Sequence, residues 1–189
     1  MTSRKVVGVF LNSAVHQPHI NTLTAMTHGI RETTDNLVFL SNSTKYMDCD
    51  IAVIFGSWKD RLTKHHILKN DIVNKHKGDL LVVETPLLGR MITEDHRYYR
   101  VGKGHYMDTL GYFNNKESDK DRWGIIRTDL GLDIKDWRKD GKHIMFLMQL
   151  PGDAATANVD ILKWLQDEIV KCKKISDRPV RVRMHPLIS

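Results

Sequence analysis

VVGVFLN, Val6 to Asn12, is the stretch whose reading decides how this chain folds. It is a compact β-branched run without the apolar–polar alternation of a half-exposed strand, which suits a strand buried on both faces of a sheet. TLTAMTHGIRE (Thr22–Glu32) follows with helical character, and LVFLS (Leu37–Ser41) and DIAVIFG (Asp50–Gly56) repeat the strand signal. A helical stretch from about Lys59 to His76 is closed by Gly78, and LLVVETP (Leu80–Pro86) is a further short strand that Pro86 ends. This alternation predicts an α/β protein: βαβ units around a Rossmann-like parallel sheet with helices on both faces.

The regularity fails from Leu87 to Lys142. Seven glycines with clustered Asn, Asp and Lys predict a loop-rich connection, carrying a short hairpin around Tyr98–Tyr112 and a helix around Asp121–Leu130. The plan then resumes. HIMFLMQLP (His143–Pro151) is expected to be a buried strand and PVRVRM (Pro179–Met184) another. Between them VDILKWLQDEIVKCKK is an amphipathic helix with Ile161, Leu165 and Ile169 four apart. The expected division is residues 1–120 as a first Rossmann-like domain, 121–142 as a connecting segment, and 143–189 as the start of a second βαβ domain.

Composition bounds the function. With 189 residues, 41% hydrophobic, and only 5 prolines, the chain should be folded throughout. No apolar stretch approaches the roughly 20 residues that span a bilayer, and the first residues lead straight into a strand, so a soluble cytoplasmic protein is expected. A net charge of +6 and a pI of about 9.3 favour anionic partners such as nucleic acid, nucleotides or an anionic polymer. The basic residues are dispersed, however, and a solvated surface is the plainer reading. Cys49 and Cys172 lie far apart with no CxxC or Cys/His pattern, which predicts reduced thiols and no metal.

In open α/β sheets ligands sit outside the carboxyl ends of the strands. The residues expected there are Asn12–Ser13, Gly56–Ser57, Glu84–Thr85, Gln149 with Gly152–Asp153, and His185–Pro186. Side chains alternate along a strand, so Arg181, Arg183 and His185 share one face, while Val180, Val182 and Met184 share the other, which is expected to be buried. An Arg fork offers paired donors to phosphate, and a neighbouring imidazolium can donate to a phosphate leaving group. The competing reading is an edge strand that its arginines keep soluble.

Other motifs carry less. Asp48-Cys49-Asp50 spells DxD but precedes its strand, as an ordinary strand start would. Gly102-Lys103-Gly104-His105 reads as a turn. His65-His66 and His16-x-x-His19 lack further ligands at matched spacing, so a helix surface and a loop are expected. Trp123, Trp137 and Trp164 sit in amphipathic context and are expected in the core. Glu84 is either a general base or a structural carboxylate, as an N-cap or in a buried ion pair.

QLPGD (Gln149–Asp153), a helix containing ILKWL, and RPVRVRMHP together resemble the start of the nucleotide-sugar domain in GT-B-type glycosyltransferases. The likeness is to the group related to capsule-polysaccharide transferases and its phage-encoded relatives. Asp121–Ile144 also resembles the segment joining the two domains in that group. The resemblance implies transfer of a sugar from a nucleotide-sugar donor to a hydroxyl of a polysaccharide or of a modified nucleic-acid base, with no cofactor beyond that co-substrate and no metal. The donor phosphate would meet Gln149, Gly152, Asp153, Arg181, Arg183 and His185. Asn12, Ser13, Gly56 and Glu84 would form the acceptor side, with Glu84 or Asp153 as base and His185 assisting the leaving group. Donor domains of this type continue with further strands, whereas this chain stops three residues after Pro186, so the second domain is expected to be incomplete. Expected partners are a nucleotide sugar, a glycan or nucleic-acid acceptor, and a second copy or a completing chain. The alternative is a non-catalytic basic module that holds nucleic acid or another polyanion, or a subunit completed by a partner.

Overall fold

The structure is a computed structural model that describes residues 4–59, 62–85, 88, 98–107, 109–114, 116, 119–137, 139–153, 156 and 159–188. Two compact units divide it, the first reaching Leu132 and the second beginning at Asp133.

In the first unit, β1 (Val6–Phe10), β2 (Leu37–Ser41), β3 (Ile51–Phe55) and β4 (Asp79–Glu84) form a parallel sheet in the order β2-β1-β3-β4. A fifth strand, β5 (Arg100–Lys103), pairs antiparallel with the outer side of β4. The expected hairpin is thus an edge strand plus a single antiparallel bridge between Lys103 and Tyr112. Pro86, expected to end β4, lies outside the described residues.

Helix α1 (Gln17–Thr33) begins at Gln17 rather than Thr22, because Pro18 falls in the first turn, where a missing N–H breaks no helical hydrogen bond. Helix α2 (Lys64–Lys75) ends as His76 donates its N–H to the Ile72 carbonyl. The two helices take opposite faces of the sheet. Val7, Val9, Val53, Phe55 and Val83 pack on Leu23, Ile20, Met26 and Ile30 of α1. Phe10, Ala52, Ile54 and Val82, of opposite parity, are equally buried, and α2 contributes the buried Leu68 and Ile72. Gly8 keeps β1 close to its neighbours, since a Cβ there would lie 2.6 Å from Cζ of Phe39 and 3.0 Å from Sγ of Cys49. Helix α3 (Arg122–Asp129) belongs to this unit, where the Tyr98 hydroxyl donates to Asp129 at 3.0 Å.

In the second unit, β6 (Ile144–Leu147) and β7 (Val180–Arg183) pair in parallel, joined through α4 (Ile161–Ile175). Asp160 caps α4 by accepting from the Lys163 N–H at 3.0 Å. The expectation of a buried β6 and a buried valine face on β7 fails. Phe146 meets Trp164 of α4 edge-on, but a hollow of about 570 Å³ lies beside Ile169, Lys173, Val180 and Val182 in place of a packed core. Val182 is consequently 41% exposed, and on the other face Leu147, beside Arg183 in register, is 62% exposed. Two strands and one helix cannot cover both faces of a sheet. Among the described residues of this unit only Met148 and Ile161 are buried hydrophobics. The tryptophans are likewise not core: Trp123 and Trp164 are exposed, and Trp137 is 93% exposed. Among the described residues no helix is long and apolar enough to cross a membrane.

Candidate functional site

The chain runs from β1 outward to β2, and from β3 outward to β4 in the opposite direction, so the carboxyl ends of β1 and β3 flank the point where strand order reverses. A single 3-10 turn, Leu11–Ser13, follows β1 there. Ser13, 1% exposed, donates to the Phe10 carbonyl at 2.6 Å and accepts from the Phe55 N–H at 2.8 Å. Its hydroxyl therefore tethers the two strands where their ladder ends, and both its hydrogen bonds are turned inward. Asn12 is similarly engaged, its amide donating to the carbonyls of Asn42 and Ser43.

Beyond β3, Gly56 adopts φ +74°, a left-handed conformation that favours glycine, while its N–H donates to Val83 at 2.7 Å. Beneath it lies the ammonium of Lys69 from α2. Lys69 is only 4% exposed and donates to the Phe55 carbonyl at 3.3 Å. Burial pulls its pKa from 10.5 to about 8; Glu84 opposes this shift and Lys59 adds to it. Glu84, at the end of β4, turns its carboxylate onto Thr85, accepting from the N–H at 2.7 Å and from the hydroxyl at 2.9 Å. One turn before Lys69, the His65 pKa is lowered by burial and then by Lys69 itself.

Aromatic rings surround these groups. His19 stacks on Phe55 with centroids 4.0 Å apart, and Tyr99 meets Phe55 edge-on. Trp58 packs edge-on against His105 and Tyr106, and burial lowers the His105 pKa. The histidine rings at 16 and 19 meet each other, as do those at 65 and 66, and among the described residues no group of three or more His, Cys, Asp or Glu is placed to hold a metal.

A hollow of about 600 Å³ opens at the other, amino end of the sheet, lined by Lys5, Asp48, Cys49, Asp50, Lys77 and Asp79. Its carboxylates have structural work. Asp50 accepts from the Val6 N–H at 2.7 Å, Asp79 pairs with Lys103 at 2.8 Å, and Asp48 accepts from the Tyr46 hydroxyl, whose pKa burial and that bond push up to about 12. Asp48-Cys49-Asp50 thus works as the strand start that its position suggested.

In the second unit, the Met148 N–H donates to the Arg183 carbonyl at 2.9 Å, which extends the β6–β7 pairing to the strand ends. Gln149 and the Pro151–Gly152 turn follow β6, and His185 follows β7, so both groups leave the same end of one parallel pair. Gly152 has φ +70°, and Thr156 closes the loop by donating its N–H to Asp153 and its hydroxyl to Leu150, both at 2.9 Å. Arg181 and Arg183 are exposed, and His185 is half-buried. The Leu187 N–H donates to Nδ1 of His185 at 3.2 Å, which leaves the donor role to Nε2.

The strand order and the helices on the sheet define an α/β protein of Rossmann-like type. No family model, curated protein or solved structure matches the chain. Sequence reading missed Lys69 and the Trp58–His105–Tyr106 cluster. The signal for Lys69 lay in helical spacing: it falls three residues before Ile72 and next to Leu68, on the stripe that faces the sheet. The aromatic cluster joins residues separated by the loop-rich region and had no local signal.

Proposed function

We propose that this chain is glycosyltransferase-like and moves a sugar from a nucleotide-activated donor to an acceptor hydroxyl. The observation that carries this reading is the pair of turns at the carboxyl end of β6 and β7: Gln149 and Gly152–Asp153 beside His185, with Arg183 on the adjoining strand. The Nε2–H of His185 donates to an oxygen of the departing phosphate while the bond from the sugar carbon to that phosphate breaks. Arg183 and Arg181 offset the charge that develops there. The acceptor oxygen forms the new glycosidic bond, and its proton passes to the carboxylate of Asp153.

Thermal-shift measurements with nucleoside diphosphates and nucleotide sugars test it. Saturable stabilisation by particular nucleotides, lost in His185→Ala, is the expected result. The exposed Arg181 and Arg183 favour one alternative, a non-catalytic polyanion-binding module. That module would bind single-stranded nucleic acid with an affinity that falls steeply with salt and would show no preference among nucleotides. The absence of any nucleotide response would overturn the glycosyl-transfer reading.

A further inference from the structure

Lys69 poses a problem in elementary energetics. An ammonium has three donors, and among the described residues this one makes a single hydrogen bond, to a neutral carbonyl at the long distance of 3.3 Å. Glu84 is near enough to act on it electrostatically, yet no ion pair within 4.0 Å joins them and the carboxylate is bonded to Thr85. A buried cation without a close counter-ion is unfavourable, and an apolar side chain of the same length would serve the α2–sheet interface better. Lys59 adds further positive character around it.

The backbone leaves a way in. A Cβ built on Gly56 would find the Lys69 Nζ at 3.7 Å and no other atom within 4 Å among the described residues outside its chain neighbours. Among the described residues, the position a Cβ on Gly56 would take is therefore unfilled, and the first group it meets is the ammonium. It lies beside the strand-order reversal, where ligands of open α/β sheets bind.

We propose that Lys69 is the anion-recognition group of a small-molecule site at the carboxyl end of the first unit's sheet, and that it takes a phosphate group entering over Gly56. Phosphate fits better than carboxylate because it has more acceptor oxygens and nearly two negative charges, matching the two donors of Lys69 that find no acceptor among the described residues and the added field of Lys59. The inference stands apart from glycosyl transfer, since it concerns residues of the first unit alone.

The probe is inorganic phosphate, titrated into the full chain with amide resonances followed by NMR and acetate run in parallel. Saturable shifts at Gly56, Ser57 and Lys69 are expected, with acetate binding more weakly. Lys69→Met should weaken the binding at least about tenfold, the equivalent of one charge-assisted hydrogen bond, whereas His185→Ala should leave the Gly56 shifts in place. On the unaltered protein, phosphate should also slow acylation of Lys69 by acetic anhydride, read by peptide mass spectrometry, which keeps the test independent of any variant's folding. Unperturbed Gly56 and Lys69 resonances, equal binding of acetate, shifts that survive Lys69→Met, or unprotected acylation would each overturn the proposal.

Discussion

Replacing Lys69 by Met should stabilise the protein at neutral pH. The lysine carries its proton into the fold at a pKa of about 8 against 10.5 when solvated, a difference equivalent to roughly 3 kcal/mol of penalty on the folded state. Methionine removes that penalty, keeps a similar length, and sacrifices the hydrogen bond to Phe55, worth about 1 kcal/mol. The net expectation at pH 7 is a gain of about 2 kcal/mol in the first unit's urea unfolding, measured in phosphate-free buffer. The sign follows from linkage. A lysine whose folded pKa is lowered destabilises the fold fully below pH 8, and the penalty shrinks as pH rises from about 8 through 10.5, above which both states hold a neutral amine. The advantage of Lys69→Met should therefore shrink to within about 1 kcal/mol by pH 10, while groups common to both proteins cancel in the comparison. Added phosphate should also narrow the gap at pH 7, because only the lysine protein gains from binding it. A variant less stable than its parent at pH 7, or a difference that does not change between pH 7 and 10, would refute the reasoning.

Ser13→Ala should destabilise the first unit by about 1–3 kcal/mol in urea denaturation, because it strands the buried Phe55 N–H that the hydroxyl now satisfies. Unchanged stability would show that the strand ends hold together without the tether. Gly8→Val should cost at least about 1–3 kcal/mol by overpacking against Phe39 and Cys49, and more if the side chains cannot shift. The readout is the same denaturation midpoint, and a neutral effect would mean that β1 can move away from its neighbours. Asp153→Asn should lower glycosyl transfer more than it lowers nucleotide binding if the carboxylate takes the acceptor's proton. Parallel loss of both would return Asp153 to holding its loop. His185→Ala should leave the unfolding of the nucleotide-free protein within about 0.5 kcal/mol, as suits a residue on a half-buried strand end. A larger loss would mark the ring as structural.

The strands at Val6–Phe10, Ile51–Phe55 and Asp79–Glu84 were legible because a parallel strand covered on both faces must be apolar at successive positions, and that signal is local. The strand ends followed by the same logic, so Asn12, Gly56, Glu84, Gln149 and His185 could be named from the sequence. What those residues do there is a different matter. Ser13 looks in sequence like a group facing a crevice, yet the ladder between β1 and β3 stops short of it and leaves a buried N–H that its hydroxyl satisfies. The burial of β6 and β7 was not legible either. An apolar run reports that a strand can be covered; the number of neighbouring strands and helices decides whether it is, and here two strands and α4 leave Leu147 and Val182 open. Lys69 is the sharpest case. Its charge is written in the sequence, but its burial, its long bond to the Phe55 carbonyl and its place beside Gly56 arise only when α2 packs across the sheet, because desolvation is a property of the assembled surroundings and not of the residue.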